Sequence, residues 1–318
     1  MVGGRELTLL AACLATAVAF AALSPYFLLP SNLSTILRNS IELLLIGLGL
    51  TLVLAMGGID VSVGVAMGVA AIGVGHAVLA GASPLLAVAA GVLAGLMLGA
   101  ITGGVVVFGR MPAIVATVGL LGVYRTAVYA LLGGSWLSGL PPTLSEALAF
   151  RIFGVVSISS VVIAALYLVA YVVLRWSPFG PHLLAIGQDE EKARLSGVAV
   201  RSTRFAAYVA SGGLCGVAAA FYIATYRNVE MSIGGTVSLD AIAAVVIGGT
   251  SILGGRASLL GTVLGVLLLR MLQNGFTLVG VPSLWQSVVT GSLLLLALIL
   301  ENLVSDGRLW RRLRRAST

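Results

Sequence analysis

Between residues 43 and 109 the chain carries one carboxylate, Asp60, and one histidine, His76, and no other ionisable side chain. Hydrocarbon offers no partner to a bare backbone N–H or C=O, so a tract of this length can only cross a membrane as helices. At roughly 20 residues per crossing it is long enough for three. The carboxylate sits in Gly57-Gly58-Ile59-Asp60-Val61-Ser62-Val63-Gly64. Irregular glycine-rich backbone survives at depth only where it faces protein or water, and a charged group there reads as functional. A polar turn in which Asp60 caps the following helix fits the same residues. The octet alone leaves both open.

The rest of the composition agrees with the tract. The chain is 59% apolar and 9% charged, where a soluble domain carries about a quarter charged residues. The fold class is therefore an all-α polytopic membrane protein. The excess of arginine does not point to nucleic acid, because the basic residues fall in short segments between apolar runs, where they act as topology signals. Cys13 and Cys215 both lie inside apolar runs, so neither a disulfide framework nor a metal cluster is expected. There is no phosphate-binding Gly-x-x-x-x-Gly-Lys-Ser/Thr loop, no metal-ligand spacing and no nucleophile elbow. The chain is expected to be no enzyme, with no catalytic residue, no metal and no cofactor of its own.

About ten spans are expected: 7–29, 41–56, 61–80, 84–108, 113–132, 156–174, 205–225, a short run within 240–255, 257–279 and 284–303. The run after Arg5 is about 23 residues, long for the apolar core of a signal peptide, and reads as an uncleaved first helix. Residues 31–40 read as a polar connector and 133–155 as the longest outer loop. Segment 175–204 holds five basic residues and the tail 304–318 five arginines, which places both, and hence both termini, in the cytoplasm. The tail also suits anionic lipid. Gly91, Gly95, Gly99 and Gly103 recur every fourth residue, a small-residue ridge for close helix packing. Arg125, inside an apolar run, reads as a snorkelling or paired group. Glu42, Asp60 and Asp240 all read as lying near span ends. The run 240–255 is too short to span comfortably and ends in Gly248-Gly249-Thr250-Ser251 to Gly254-Gly255. Two glycine-interrupted segments, one in each of two pseudo-repeat halves, point to a transport site between repeats.

Four stretches together resemble a known family: the octet 57–64; Met111-Pro112-Ala113-Ile114-Val115-Ala116-Thr117-Val118-Gly119; Ala185-Ile186-Gly187-Gln188 through Ala193-Arg194-Leu195-Ser196-Gly197-Val198; and Leu239-Asp240 to Thr250 with Gly254-Gly255. In this order and spacing the chain is similar, over almost its whole length, to permease subunits of bacterial ATP-binding-cassette importers for monosaccharides, the ribose, xylose, rhamnose and autoinducer-2 group. The resemblance implies a single permease domain over 1–318 in the cytoplasmic (inner) membrane. It implies a coupling helix within 180–204 that docks on a separate ATPase, which would hold the ATP and Mg. Gly187, Glu190, Glu191, Ala193, Arg194 and Gly197 would form that docking element. Lys192 departs from the family's Glu-Ala-Ala-x-x-x-Gly pattern, and a solvated loop is the alternative for this segment. Further implied partners are a periplasmic sugar-binding protein and a second permease, identical or merely similar, with no nucleic acid. A sugar needs hydroxyl partners, so Asp60, Ser62, Thr117, Tyr124, Asp240, Thr250 and Ser251 are candidate pathway groups. Each equally suits capping or interhelical bonding. An ion-coupled secondary transporter, or a permease of this superfamily for a non-sugar solute such as a nucleoside, stands as the alternative function.

Overall fold

A computed structural model describes residues 4–152, 156–282, 284–296 and 299 of the chain. Seven helices are long and apolar enough to cross a membrane: α1 (Gly4–Leu23), α2 (Pro30–Ala55), α4 (Pro84–Gly103, continued as a π turn to Phe108), α5 (Ala113–Leu132), α7 (Ile158–Trp176), α10 (Val200–Tyr226) and α12 (Leu259–Leu278). Three shorter apolar helices, α3 (Val63–Leu79), α11 (Val237–Ile247) and α13 (Leu284–Leu296), complete ten. Small helices α6 (Thr143–Ala149), α8 (Phe179–Gln188) and α9 (Glu190–Leu195) fill the connections, and strands β1 (Arg151–Ile152) and β2 (Val156–Ser157) form a two-residue antiparallel ladder. The protein is a multi-pass all-α membrane protein.

Helices α2 and α10 form the interior. Every residue of α2 from Ser40 to Ala55 is buried, and α10 packs against α2, α3 and α4. By contrast α1 and α7 are peripheral, with Leu14, Val18, Leu168 and Val169 exposed, as side chains facing lipid tails would be.

Three parts differ from the reading of the sequence. The polar stretch 31–40 is not a connector but the opening of α2. Pro30 stands at the first helical position, where its missing N–H costs nothing, and the Asn32 amide pairs with Asn274 of α12 at 2.9 Å. The helix thereby extends far enough for Glu42 to fall inside it rather than near its end. The segment 240–255 divides into the greater part of α11, which ends at Ile247, and a helix-free turn that follows it. Residues 227–236 run without regular helix alongside α3, Ile233 seating against Gly68 and Gly234 against Gly64, and lead into α11. The segment 133–155, read as a loop, contains α6 and strand β1 among its described residues and is tied to residues 227–236 by the Leu137–Val229 bridge. The tail 304–318 lies outside the described residues.

The glycine ridge of α4 lies on α10. A Cβ at Gly91 would meet the Gly216 carbonyl at 2.7 Å, one at Gly99 the Gly212 Cα at 2.9 Å, and one at Gly95 would collide with the Gly212 carbonyl. Two helices thus touch backbone to backbone, as closely as small residues allow.

Candidate functional site

Two glycine-broken segments and the end of α8 meet at one point. Helix α2 stops in a Schellman cap: Gly57 takes φ +75°, its N–H donates to Leu54 O, and Gly58 N donates to Val53 O at 3.0 Å. Only glycine adopts that left-handed backbone without strain. The second segment turns back over 250–258, where Gly254 and Gly255 also have positive φ. Gly255 N donates to Ala55 O at 2.9 Å, joining the turn to the end of α2. Onto this seam α8 lays Gly187, where an added methyl would strike Ala55 O, Gly255 N and Gly254 Cα. Residues from three distant parts of the chain therefore touch through backbone atoms, and α9 follows directly.

In α9 the local chemistry is self-contained. Asp189 is extended, and its side chain accepts from Lys192 N at 3.0 Å as the N-cap, satisfying an otherwise orphan donor. Lys192 Nζ is 2.8 Å from the same carboxylate, and these bonds hold the Asp189 carboxyl below, and the Lys192 ammonium above, their ordinary ranges. Glu191 pairs with Arg194, and Glu190 with Arg204 at 2.8 Å. Such exposed pairs add little stability. What they do is hold the side chains of a short, highly charged surface helix in place. Ala193 is buried, and Gly197, at φ +83°, closes the helix with Val198 N donating to Ala193 O. Leu195, 77% exposed, projects beside the charges, a combination suited to a protein partner.

The seven candidate pathway residues separate into distinct places. Asp60, Ser62 and Thr117 come together. The Asp60 carboxylate accepts from Ser62 N at 2.9 Å and Ser62 Oγ at 2.6 Å. Thr117 Oγ1 of α5 donates to Ile59 O at 3.1 Å and accepts from Val61 N at 3.4 Å. These bonds pin the octet between α3 and α5. Gly64 N donates to Ser238 Oγ at 2.8 Å, so the two broken passages also meet inside the protein. Tyr124 instead bridges α5 to α4, bonding Thr102 and the Leu98 carbonyl, each at 3.1 Å. Thr250 and Ser251 stay within the second turn, accepting from Ser258 N at 3.2 Å and Leu253 N at 3.3 Å. Asp240 is separate from all of these, facing Gln273 of α12 at 3.5 Å.

Among the described residues Arg125 bonds backbone carbonyls and not a carboxylate. Its guanidinium donates to Met231 O at 3.0 Å and Ile233 O at 3.3 Å, so it fastens the 227–236 segment to α5. Backbone that has left its helix has free carbonyls, and an arginine supplies several donors at once. The Gly234-Gly235 pair beside those carbonyls was the signal for this in the sequence. His76 lies exposed on α3.

The family model for the permease component of branched-chain amino acid transport systems matches residues 32–298. The autoinducer 2 import system permease protein LsrC of Klebsiella pneumoniae is 36% identical over 311 residues, covering 98% of this chain and 89% of that protein. The corresponding LsrC of an Enterobacter species is 37% identical over 315 residues, 98% and 89% of the two chains. The ribose import permease protein RbsC of Bacillus subtilis is 33% identical over 284 residues, 88% and 87% of the two chains. No solved structure matches the chain.

Proposed function

The chain belongs to the family of permease components of branched-chain amino acid transport systems, and we propose that it is the membrane permease of an ATP-binding-cassette importer for a monosaccharide or related polyol. Its relatives are named for ribose and autoinducer 2. The observation that carries the reading is the meeting of Gly187 with Ala55, Gly254 and Gly255. A push on α9 from a cytoplasmic ATPase passes through α8 into the ends of both broken passages without an intervening flexible side chain. Packed backbone has few ways to yield, so such a contact transmits displacement. The ATPase holds ATP and Mg. A periplasmic binding protein delivers the solute to the face opposite α9, and a second permease, identical or similar, completes the pathway. In this reading α9, Arg204 and both termini are cytoplasmic and the membrane is the inner one.

The test is purification of the tagged chain from its native membrane with mass spectrometry of what accompanies it, followed by ATP-dependent uptake in cells. An ATPase with two nucleotide-binding domains should co-purify, and the double variant Glu190→Lys, Glu191→Lys should remain in the membrane while ATP-driven uptake collapses. An ATPase-free protein that moves solute down an ion gradient overturns the reading, and undiminished uptake by the double variant overturns the docking assignment.

A further inference from the structure

A cavity of about 480 Å³ lies at the α9 end of the bundle, between α1, α2, α7, α8 and the start of α12. That is the size of a small-ligand pocket and far larger than a single water needs. Its polar lining divides by wall. Thr51 Oγ1 of α2 bonds Gly47 O and Thr262 Oγ1, each at 2.7 Å, and Ser258 Oγ donates to Glu6 Oε1 at 2.9 Å. These groups are engaged within the protein. On the α7 wall stand Tyr171 and Arg175, one turn apart. Neither has a hydrogen-bond or ion-pair partner among the described residues. Much of the remaining lining is apolar, with Leu52, Leu174, Leu183 and Leu260 coming from four different helices. Tyr171 is 54% and Leu260 47% exposed, so the cavity opens to the outside of the bundle. It opens at a particular level. Two turns back along α7, Leu168 and Val169 face outward, and the helix ends in the exposed Trp176. Outward aliphatic side chains suit lipid tails, and aromatic rings beside a terminal arginine mark the headgroup region.

We propose that this cavity holds a phospholipid of the leaflet on the α9 side. Its phosphodiester sits on the Arg175 guanidinium and the Tyr171 hydroxyl, and an acyl chain lies against the leucines. A guanidinium presents a planar fork of donors that matches phosphate oxygens two at a time, and the phenol adds one more donor. At the headgroup level phosphate is the counter-charge at hand, and basic pockets between membrane helices take it. A free anion would satisfy Arg175 and leave the leucine wall bare. A hydrocarbon chain alone would cover the leucines and leave Arg175 unpaired. Only an amphiphile with an anionic head matches both. Glu6, held by Ser258 on another wall, repels phosphate and leaves the α7 side as its place. The same cavity is lined by Ala55 and by Gly180 and Leu183 of α8, so the lipid packs beside the junction without belonging to it.

The experiment is thermal unfolding of the full chain in dodecyl maltoside micelles as the mole fraction of dioleoyl-phosphatidylglycerol is raised. Wild type, Arg175→Gln, Tyr171→Phe and Arg201→Gln are compared, with dioleoylglycerol and inorganic phosphate as counter-probes. Arg201 is an exposed arginine in the first turn of α10, outside the cavity. The phospholipid should raise the unfolding temperature of wild type to a plateau, as a ligand of the folded state does, and neither counter-probe should. Arg175→Gln should need at least about fivefold more lipid for half the effect, the loss of one charged headgroup contact. Tyr171→Phe should need about threefold more, the loss of one hydrogen bond, and Arg201→Gln should match wild type. Should Arg175→Gln fail to fold, Tyr171→Phe decides alone. An equal effect from dioleoylglycerol reduces the cavity to an apolar crevice and overturns the headgroup contact. An equal effect from inorganic phosphate makes it a free-anion site and overturns the lipid. The same lipid dependence in wild type and both α7 variants, or a loss in Arg201→Gln as large as in Arg175→Gln, overturns the site.

Discussion

Glycines bring backbones together along the α4–α10 seam and at the junction of α2 and α8, and these two contacts are built differently. Along the α4–α10 seam the glycines sit at ordinary helical φ and are needed only because they lack a Cβ; the spacing of four keeps them on one face against Gly212 and Gly216. At the junction of α2, α8 and the 250–258 turn, Gly57, Gly254 and Gly255 are needed also for their positive φ, and the three segments come from distant parts of the chain. The seam is a fastening within a bundle that any pair of helices could use. The junction joins the end of a long buried helix, the root of the charged α9 and the second broken passage, so it can carry motion from one to the others.

The largest effect should come from breaking the seam. Gly95→Leu places a side chain where the Gly212 carbonyl and the Gly216 amide already stand, and the helices must part along their length. Overpacking of this kind costs about 3 kcal/mol or more, read as loss of folded protein in thermal unfolding; a stable variant would show that the seam is loose. Gly187→Ala is the smaller and more selective change. It should leave a folded protein, because only the end of α8 must shift, but reduce ATP-driven uptake per folded transporter by roughly tenfold, the scale of an ordinary coupling free energy. Equal losses of stability and uptake would erase the distinction between seam and junction. The smallest effect concerns the cap beside the junction. The Asp189 carboxyl is held below its usual range by Lys192, so its contribution to α9 is present above the unfolded-state value of about 3.9 and is lost as pH falls through the lowered folded value. The protection of the α9 amides against hydrogen exchange, taken relative to the unstructured chain at the same pH, should therefore fall on acidification in wild type, whereas Asp189→Asn should be less protected at neutral pH and show no such step.

How far the sequence reached depends on the range of the interaction. Ten apolar segments were legible because burial in hydrocarbon demands a run of apolar residues, a local property. The start of α2 was not, since polar residues 31–40 become helical only when Asn32 finds Asn274, far along the chain. Nor was the division of the pathway candidates, because Asp60, Thr250 and Asp240 look alike as polar residues near glycines and differ only in what packs against them.

By itself, then, the sequence determined that this chain crosses a membrane many times, that it breaks its passages at glycines, and that it carries a charged helix between spans. These follow from transfer free energy and backbone sterics, which act on neighbouring residues. Only the tertiary structure decided that α8 lies across both breaks, that Arg125 holds carbonyls rather than a carboxylate, and that Asn32 at the start of α2 meets Asn274 of α12. Those are contacts between residues more than a hundred positions apart or on different helices, and their geometry is set by how close the packed helices can come.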